Sequence, residues 1–260
     1  TLGAVAGPNL VGPMGKFATL VGFPALSGPF ILAGAAYILA GLVLLVFLRP
    51  DPFVVAKALA DARKTDTGKT SDKSTGNPES NNSIVFGTTI MVLTQFVMVA
   101  IMTMTPGHMG HHGHGLKEVG MVIGFHIGAM YLPSLLTGIL VDKVGRNTMA
   151  IGASVTLLAA GALSAFGPAD SMPVLILALS LLGLGWNFGL ISGTAIIVDA
   201  TTVSNRAKTQ GTVDVLIALA GATGGGISGI IAVQTSYATL SLTGGILSLL
   251  LIPVLIFTRK

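Results

Sequence analysis

Asp214 stands inside a long apolar segment, and a carboxylate in that setting has more chemistry to offer than any other residue of this chain. A charge at the centre of a bilayer costs about 2.5–3.5 kcal/mol on insertion scales, so such an acid must be paired, protonatable or turned toward water. Three roles are open to it: a proton- or cation-binding acid, one half of an ionic lock, or a helix-end cap. It sits only about one and a half turns into its segment, which favours the lock. His126 lies about a third of the way into another apolar segment, with Tyr131 five residues on. Gln95, Trp186 and Asn187 are further polar or aromatic groups at mid-segment depth. Polar side chains in a membrane tend to face the bundle interior, so these five are candidates to line a substrate cavity. Hydrogen bonding to a neighbouring helix is the plainer reading of the histidine, and helix packing that of Trp186 and Asn187.

Two short polar stretches carry the remaining chemistry. His108-Met-Gly-His111-His112-Gly-His114 has imidazole spacings that suit zinc, copper or nickel, and imidazoles also titrate near neutral pH. The chain has no cysteine, only Glu118 lies nearby, and the glycines make the stretch read as a floppy polar loop. No metal site is therefore expected, with the four histidines as weak candidates. Gly138-Ile-Leu-Val-Asp142-Lys143-Val-Gly145-Arg146-Asn fills a short gap between two apolar segments. There Gly138 permits close helix approach, Asp142 can cap or bridge a helix end, and Gly145 allows a tight turn. Asp199, Arg206 and Gln210 surround the next polar turn and are expected to join Asp142 and Arg146 in one charge network with a gating role.

These residues must be positioned by membrane helices. Hydrophobic residues make up 52% of the 260, and charged residues only 9%. Soluble domains carry roughly 25% charge, so the fold class is an all-α polytopic membrane protein, with the lipid bilayer as partner. About 20 apolar residues span a bilayer. Seven windows qualify: 27–48, 84–105, 118–141, 147–166, 172–198, 209–233 and 237–257. Residues 1–14 are apolar but short, and read as the end of a helix whose beginning is absent; Thr1 is not expected to be the natural start. Residues 49–83 are polar, with a possible amphipathic helix at Pro52–Lys64 followed by a Ser/Thr/Asn/Gly/Lys-rich tract.

Basic residues set the orientation. With residues 49–83 in the cytoplasm, Arg49, Lys57, Arg63, Lys64, Lys69, Lys73, Lys143, Arg146, Arg206, Lys208, Arg259 and Lys260 all fall inside. Only Lys16 and Lys117 of the 14 Lys and Arg residues fall outside. The positive-inside rule then predicts a multi-pass plasma-membrane protein with a cytoplasmic C-terminus. The basic residues flank spans rather than forming a patch, so no nucleic acid is expected. Nor is an enzyme: no nucleophile–base constellation or phosphate loop is present, and Gly224-Gly225-Gly226 follows no strand. No cofactor is expected.

The Gly-x-x-x-Asp-Lys-x-Gly-Arg turn at 138–146, placed between two spans, resembles the loop signature of the major facilitator superfamily (MFS) of secondary transporters. Gly3-Ala-Val-Ala-Gly7-Pro8-Asn9-Leu10-Val11-Gly12 is similar to the Gly-x-x-x-Gly-Pro motif in the fifth helix of drug:proton antiporters, with Val11 where that pattern prefers Gly. Such glycines expose backbone for tight packing, and Pro8 bends the helix. Gly221-x-x-x-Gly225 echoes the Gly3/Gly7 pair, as expected of a family built from parallel repeats.

The resemblance implies an MFS fold with a complete C-terminal six-helix half and the last part of the N-terminal half. Residues 1–48 would be part of helix 5 and helix 6, residues 49–83 the cytoplasmic inter-half linker, and residues 84–260 helices 7–12. It further implies alternating access, and a lock between Asp214 and the basic turn of the N-terminal half. The expected activity is proton-coupled efflux of small hydrophobic or cationic compounds, with protons and a small-molecule substrate as partners. The missing N-terminal helices would be required for transport. A nutrient symporter, or a non-transporting metal or pH sensor, is the alternative.

Overall fold

The computed structural model describes residues 2–52, 54, 55, 58, 59 and 81–258. The expected amphipathic helix at 52–64 and the polar tract after it lie largely outside the described residues. Contacts divide the chain into one unit of residues 10–74 and another of residues 1–9 and 75–260.

Helix α1 covers Leu2–Leu20 and is longer than the 1–14 window, because it continues through Pro13 and Lys16. Among the described residues, a Cβ at Gly3, Gly7 or Gly12 would meet nothing within 4 Å. A turn follows, in which Gly22 takes a φ of +84°, a conformation that costs glycine little. A 3-10 turn at Ala25–Ser27 then leads into α2, Gly28–Phe47. The close approach in this unit is made at Gly28, whose missing Cβ would run into the Met14 carbonyl. Small residues packing backbone on backbone did govern the contact, but at a different pair. The side chains of α2 are apolar, with Phe30 and Tyr37 both 79% exposed, as suits a membrane-spanning helix.

The second unit is a helical bundle. Its elements are α3 Asn81–His111, α4 Leu116–Tyr131, α5 Ser134–Val144, α6 Arg146–Phe166, α7 Met172–Asp199, α8 Val203–Gln234, α9 Tyr237–Ser248 and α10 Leu251–Thr258. Among the described residues of the whole chain, six helices are long and apolar enough to cross a membrane, or seven when α4 and α5 count as one bent span. No strand occurs among them. The chain is thus an all-α, multi-pass membrane protein.

Three segments depart from the windows read off hydropathy. The 118–141 window is one apolar run in sequence but two helices in space, bent by 40° at Leu132–Pro133. Hydropathy is blind to this break; Pro133 has no N–H to offer and causes it. The last window is likewise divided, into α9 and α10. The histidine stretch is only partly a loop: its first four residues close α3, and His112–His114 form the turn that follows. Helix α3 runs through Pro106 to His111, anchored by Met109, which is fully buried, and by His108, which stacks on Tyr237 with ring centroids 4.1 Å apart.

Helices α3 and α7 form the centre. The first packs on α7, α8, α9 and α10, the second on α3, α4, α5 and α6. Lipid offers no hydrophobic drive between helices, so close backbone approach and interhelical hydrogen bonds must hold them. Gly193 of α7 lies against Met91 and the Gly87 carbonyl of α3, and Gly183 of α7 lies against the backbone of His126 in α4. Between α6 and α9, Ser154 Oγ donates to the Ser248 carbonyl at 2.7 Å, and Ser248 Oγ returns a bond to the Ser154 carbonyl at 2.9 Å. By contrast α7 and α8, although consecutive, make few contacts. Both lean on α3, and the gap between them leaves one face of α3 open.

Candidate functional site

That open face holds most of the polar chemistry in the bundle. Near the middle of α7, Trp186 donates its indole N–H to Gln95 Oε1 of α3 at 2.7 Å. On its other side the Trp186 ring meets Tyr131, the last residue of α4 before the break, edge to face with centroids 5.7 Å apart. On the α8 side, a Cβ at Gly221 would come within 3.2 Å of Gln95 Nε2. Three of the five expected cavity residues are thus brought together; Gly221 leaves room for the amide, and it and Gly225 both lie against Val99 of α3. The tightest glycine contact of α8 on α3 is at Gly224, where a Cβ would sit 2.7 Å from the Phe96 carbonyl, in keeping with a run of glycines that serves helix packing.

The other two belong elsewhere. Asn187 is buried one residue along the helix from Trp186 and therefore points about 100° away from it. Its Nδ2 donates to the Met130 carbonyl at 2.7 Å and to Ser134 Oγ at 2.9 Å, while Thr137 Oγ1 donates to its Oδ1 at 2.6 Å. One carboxamide therefore ties together both sides of the α4–α5 break. Its role is to hold the bend, with Ser134 and Thr137 as partners that only the tertiary structure reveals. Asn187→Ala should lower stability by about 1–2 kcal/mol, read by thermal unfolding in detergent. Unaltered unfolding would show that the bend holds itself.

His126 is fully buried between α4 and α7. Its Nδ1 lies 2.7 Å from the Leu179 carbonyl, an acceptor only, so Nδ1 donates this bond. Nε2 has no partner among the described residues. The histidine reaches neither Gln95 nor Trp186, and of the two readings open to it, hydrogen bonding across a helix pair describes its place.

The charged residues cluster at one end of the bundle. Gly145 separates α5 from α6 with a φ of +92°, the tight turn expected of it. Gly138, by contrast, faces open space. Arg146 opens α6 and pairs through Nε with Asp199 Oδ2, at the end of α7, at 2.5 Å. Both side chains are partly exposed, at 36% and 53%, so the pair adds little to stability and stays free to break. Arg206 does not enter this ion pair; it donates to the carbonyls of Val198 (3.0 Å) and Thr201 (3.2 Å), capping the end of α7. Asp142 is exposed and makes no ion pair among the described residues.

Asp214, also exposed, lines the wall of the α7–α8 gap. With Met91, Leu190, Thr194, Gln210 and Val213 it encloses a groove of about 240 Å³. Met91 is one turn from Gln95 on α3, Leu190 one turn from Trp186 on α7, and Asp214 two turns from Gly221 on α8. The groove and the Gln95–Trp186 pair therefore share one face, about 6 Å apart along α3 and α7, with Asp214 about 10 Å along α8 from Gly221 at 1.5 Å per residue. Thr194 was not singled out from sequence; a lone threonine in an apolar helix gives no signal until its neighbours are known. Among the described residues no three His, Asp or Glu side chains converge as metal ligands.

Comparison with known proteins identifies the family. The Major Facilitator Superfamily model matches residues 1–192 and, in a second alignment, residues 85–260. The chain belongs to the major facilitator superfamily. It is 63% identical over 259 residues to the uncharacterized MFS-type transporter YdeG of Bacillus subtilis (strain 168), covering 100% of this chain and 60% of that protein. It is 61% identical over 258 residues to the uncharacterized MFS-type transporter YddS of the same organism, covering 99% of this chain and 59% of that protein. A more distant relative, the riboflavin transporter RfnT of Brucella anthropi, is 35% identical over 153 residues, 58% of this chain and 37% of that protein. The chain thus spans about three fifths of the length of the two Bacillus relatives. No solved structure matches it.

Proposed function

We propose that the polypeptide carrying this chain is a proton-coupled secondary transporter that exports small hydrophobic or cationic compounds by alternating access. The observation that carries this reading is the polar face across α3, α7 and α8, where the Gln95–Trp186 pair and the Asp214 groove lie beside the gap between α7 and α8. Such a face has a use where it lines a pathway, since unsatisfied polar groups in hydrocarbon are costly. The aromatic pair and lone amide at mid-depth suit a weakly charged substrate, and Asp214 two turns away suits the coupling proton or a gate. The Arg146–Asp199 pair is a gate of the kind alternating access needs, partly exposed and breakable. In this reading residues 84–260 form the C-terminal six-helix half, the end with Arg146, Asp199 and Arg206 is cytoplasmic, and helices beyond this chain complete the transporter in the plasma membrane.

The test is efflux from cells or everted vesicles carrying the complete polypeptide, with the proton gradient imposed and then collapsed by an uncoupler. Gradient-dependent flux supports the reading, and flux indifferent to the uncoupler overturns its proton coupling. Uptake of an aromatic nutrient is the second reading, favoured by the likeness to a riboflavin transporter together with the Tyr131–Trp186 pair. Flux directed inward would select it. The four histidines at 108–114 have no part in either cycle. Changing His108, His111, His112 and His114 together to Ala should leave flux within about twofold of the parent; its abolition at every pH would give that helix end a role in transport.

A further inference from the structure

We propose that Gln95 selects, for the transport site just described, flat aromatic compounds carrying a hydrogen-bond acceptor such as a ring carbonyl or an aza nitrogen. The inference rests on that site being the substrate site. It begins with which way the amide faces. Oxygen and nitrogen of a glutamine side chain look alike, but an indole N–H can only donate, so the atom 2.7 Å from Trp186 Nε1 must be the oxygen. With Oε1 held there, the two N–H groups of Nε2 are fixed on the opposite side. They donate to nothing among the described residues, and Nε2 lies beside Gly221, where an added Cβ would come within 3.2 Å of it. A half-buried amide with two idle, pre-oriented donors is a recognition element for an acceptor, and it rejects a molecule that leaves those donors unpaired.

The rest of the site defines the shape. Tyr131 remains 36% exposed and meets Trp186 in a T-shaped pair, so this aromatic corner offers apolar surface to a flat ring. Met91 and Leu190 supply apolar walls toward the groove. A sugar would need several converging donors and acceptors, and a dicarboxylate would need basic side chains; this face supplies neither. Nor does a compact aliphatic cation fit, because the nearest acid on the face, Asp214, is about 10 Å off.

A matched probe pair isolates the claim. 9-Fluorenone and fluorene are planar tricycles of the same outline, and only the first has a carbonyl. Binding of each to the complete polypeptide in nanodiscs is measured without a gradient and corrected for partition into protein-free discs. The parent should prefer fluorenone by about tenfold, the size of one well-made hydrogen bond to a partly buried donor. Gln95→Glu keeps an acceptor for Trp186 but has no N–H, and Gly221→Ala leaves the Trp186–Gln95 bond in place while crowding Nε2. Both should bring the preference to about onefold, through weaker fluorenone binding, tighter fluorene binding or both. Equal weakening of both probes, a preference that survives both substitutions, or no saturable fluorenone binding to the parent would overturn the proposal. Because binding is read without flux, a protein that keeps the preference but moves nothing refutes the transport reading alone. A protein that pumps without the preference refutes only this inference.

Discussion

Replacing Asp214 by Asn in the complete polypeptide abolishes gradient-driven flux, lowering it by tenfold or more, while the protein reaches the membrane at near-normal levels. Normal levels are expected because Asp214 is exposed, makes no ion pair among the described residues and lines a groove rather than a packed interface. Asn keeps the size of Asp and removes only its charge and its ability to release a proton. The two roles proposed for this acid then separate in an exchange assay with no gradient. A coupling acid is dispensable for swapping labelled for unlabelled substrate across the membrane, so Asp214→Asn retains exchange. A lock residue biases which face is open, so exchange falls along with driven flux. Unchanged driven flux would remove Asp214 from the mechanism altogether.

Gly183→Ala is expected to have the largest effect on folding. The added Cβ would run into the backbone carbonyl of His126, with His126 Nδ1 at 3.2 Å and Met130 Cγ at 3.2 Å. A flexible side chain could swing aside, but a carbonyl in the middle of α4 moves only with its helix. Shifting α4 from α7 lengthens the His126–Leu179 hydrogen bond and disturbs the Asn187 tie to Met130 one turn further on. Overpacking of this kind costs about 1–3 kcal/mol before those bonds are counted. The variant should unfold at a lower temperature in detergent and accumulate poorly, whereas Gly226→Ala, which meets open space, should behave as the parent. Equal unfolding temperatures for the two variants would mean that α4 and α7 are not as close as the structure places them.

Much of this architecture is legible in the residues. Hydropathy located the membrane helices because the bilayer core forces every spanning segment to be long and apolar, and Gly145 marked its turn because few other residues accept a φ of +92°. The 138–146 turn led to the superfamily by motif. The glycine motifs were less informative: among the described residues Gly3, Gly7 and Gly12 face open space, while Gly28 and Gly183 make close contacts. A glycine-rich helix has several possible small faces, and which one a neighbour covers is settled by the neighbour.

The candidate site divides along the same line. Gln95, Tyr131, Trp186 and Asn187 could be picked out one by one, because a polar group in an apolar helix must find a partner or a pathway. Their grouping could not. Trp186 and Asn187 are adjacent in sequence, yet one joins Gln95 on the open face and the other ties the broken span. The charges behave alike: Asp142 and Arg146 share one motif, but Arg146 reaches across to Asp199 and Arg206 turns to the carbonyls of α7. Sequence alone determined the solvent this protein lives in, its helices and the short menu of residues worth watching, since these follow from the transfer energies of single segments. Tertiary structure decided which of those residues meet, because successive helical positions differ by about 100° and only packing chooses the direction each one faces.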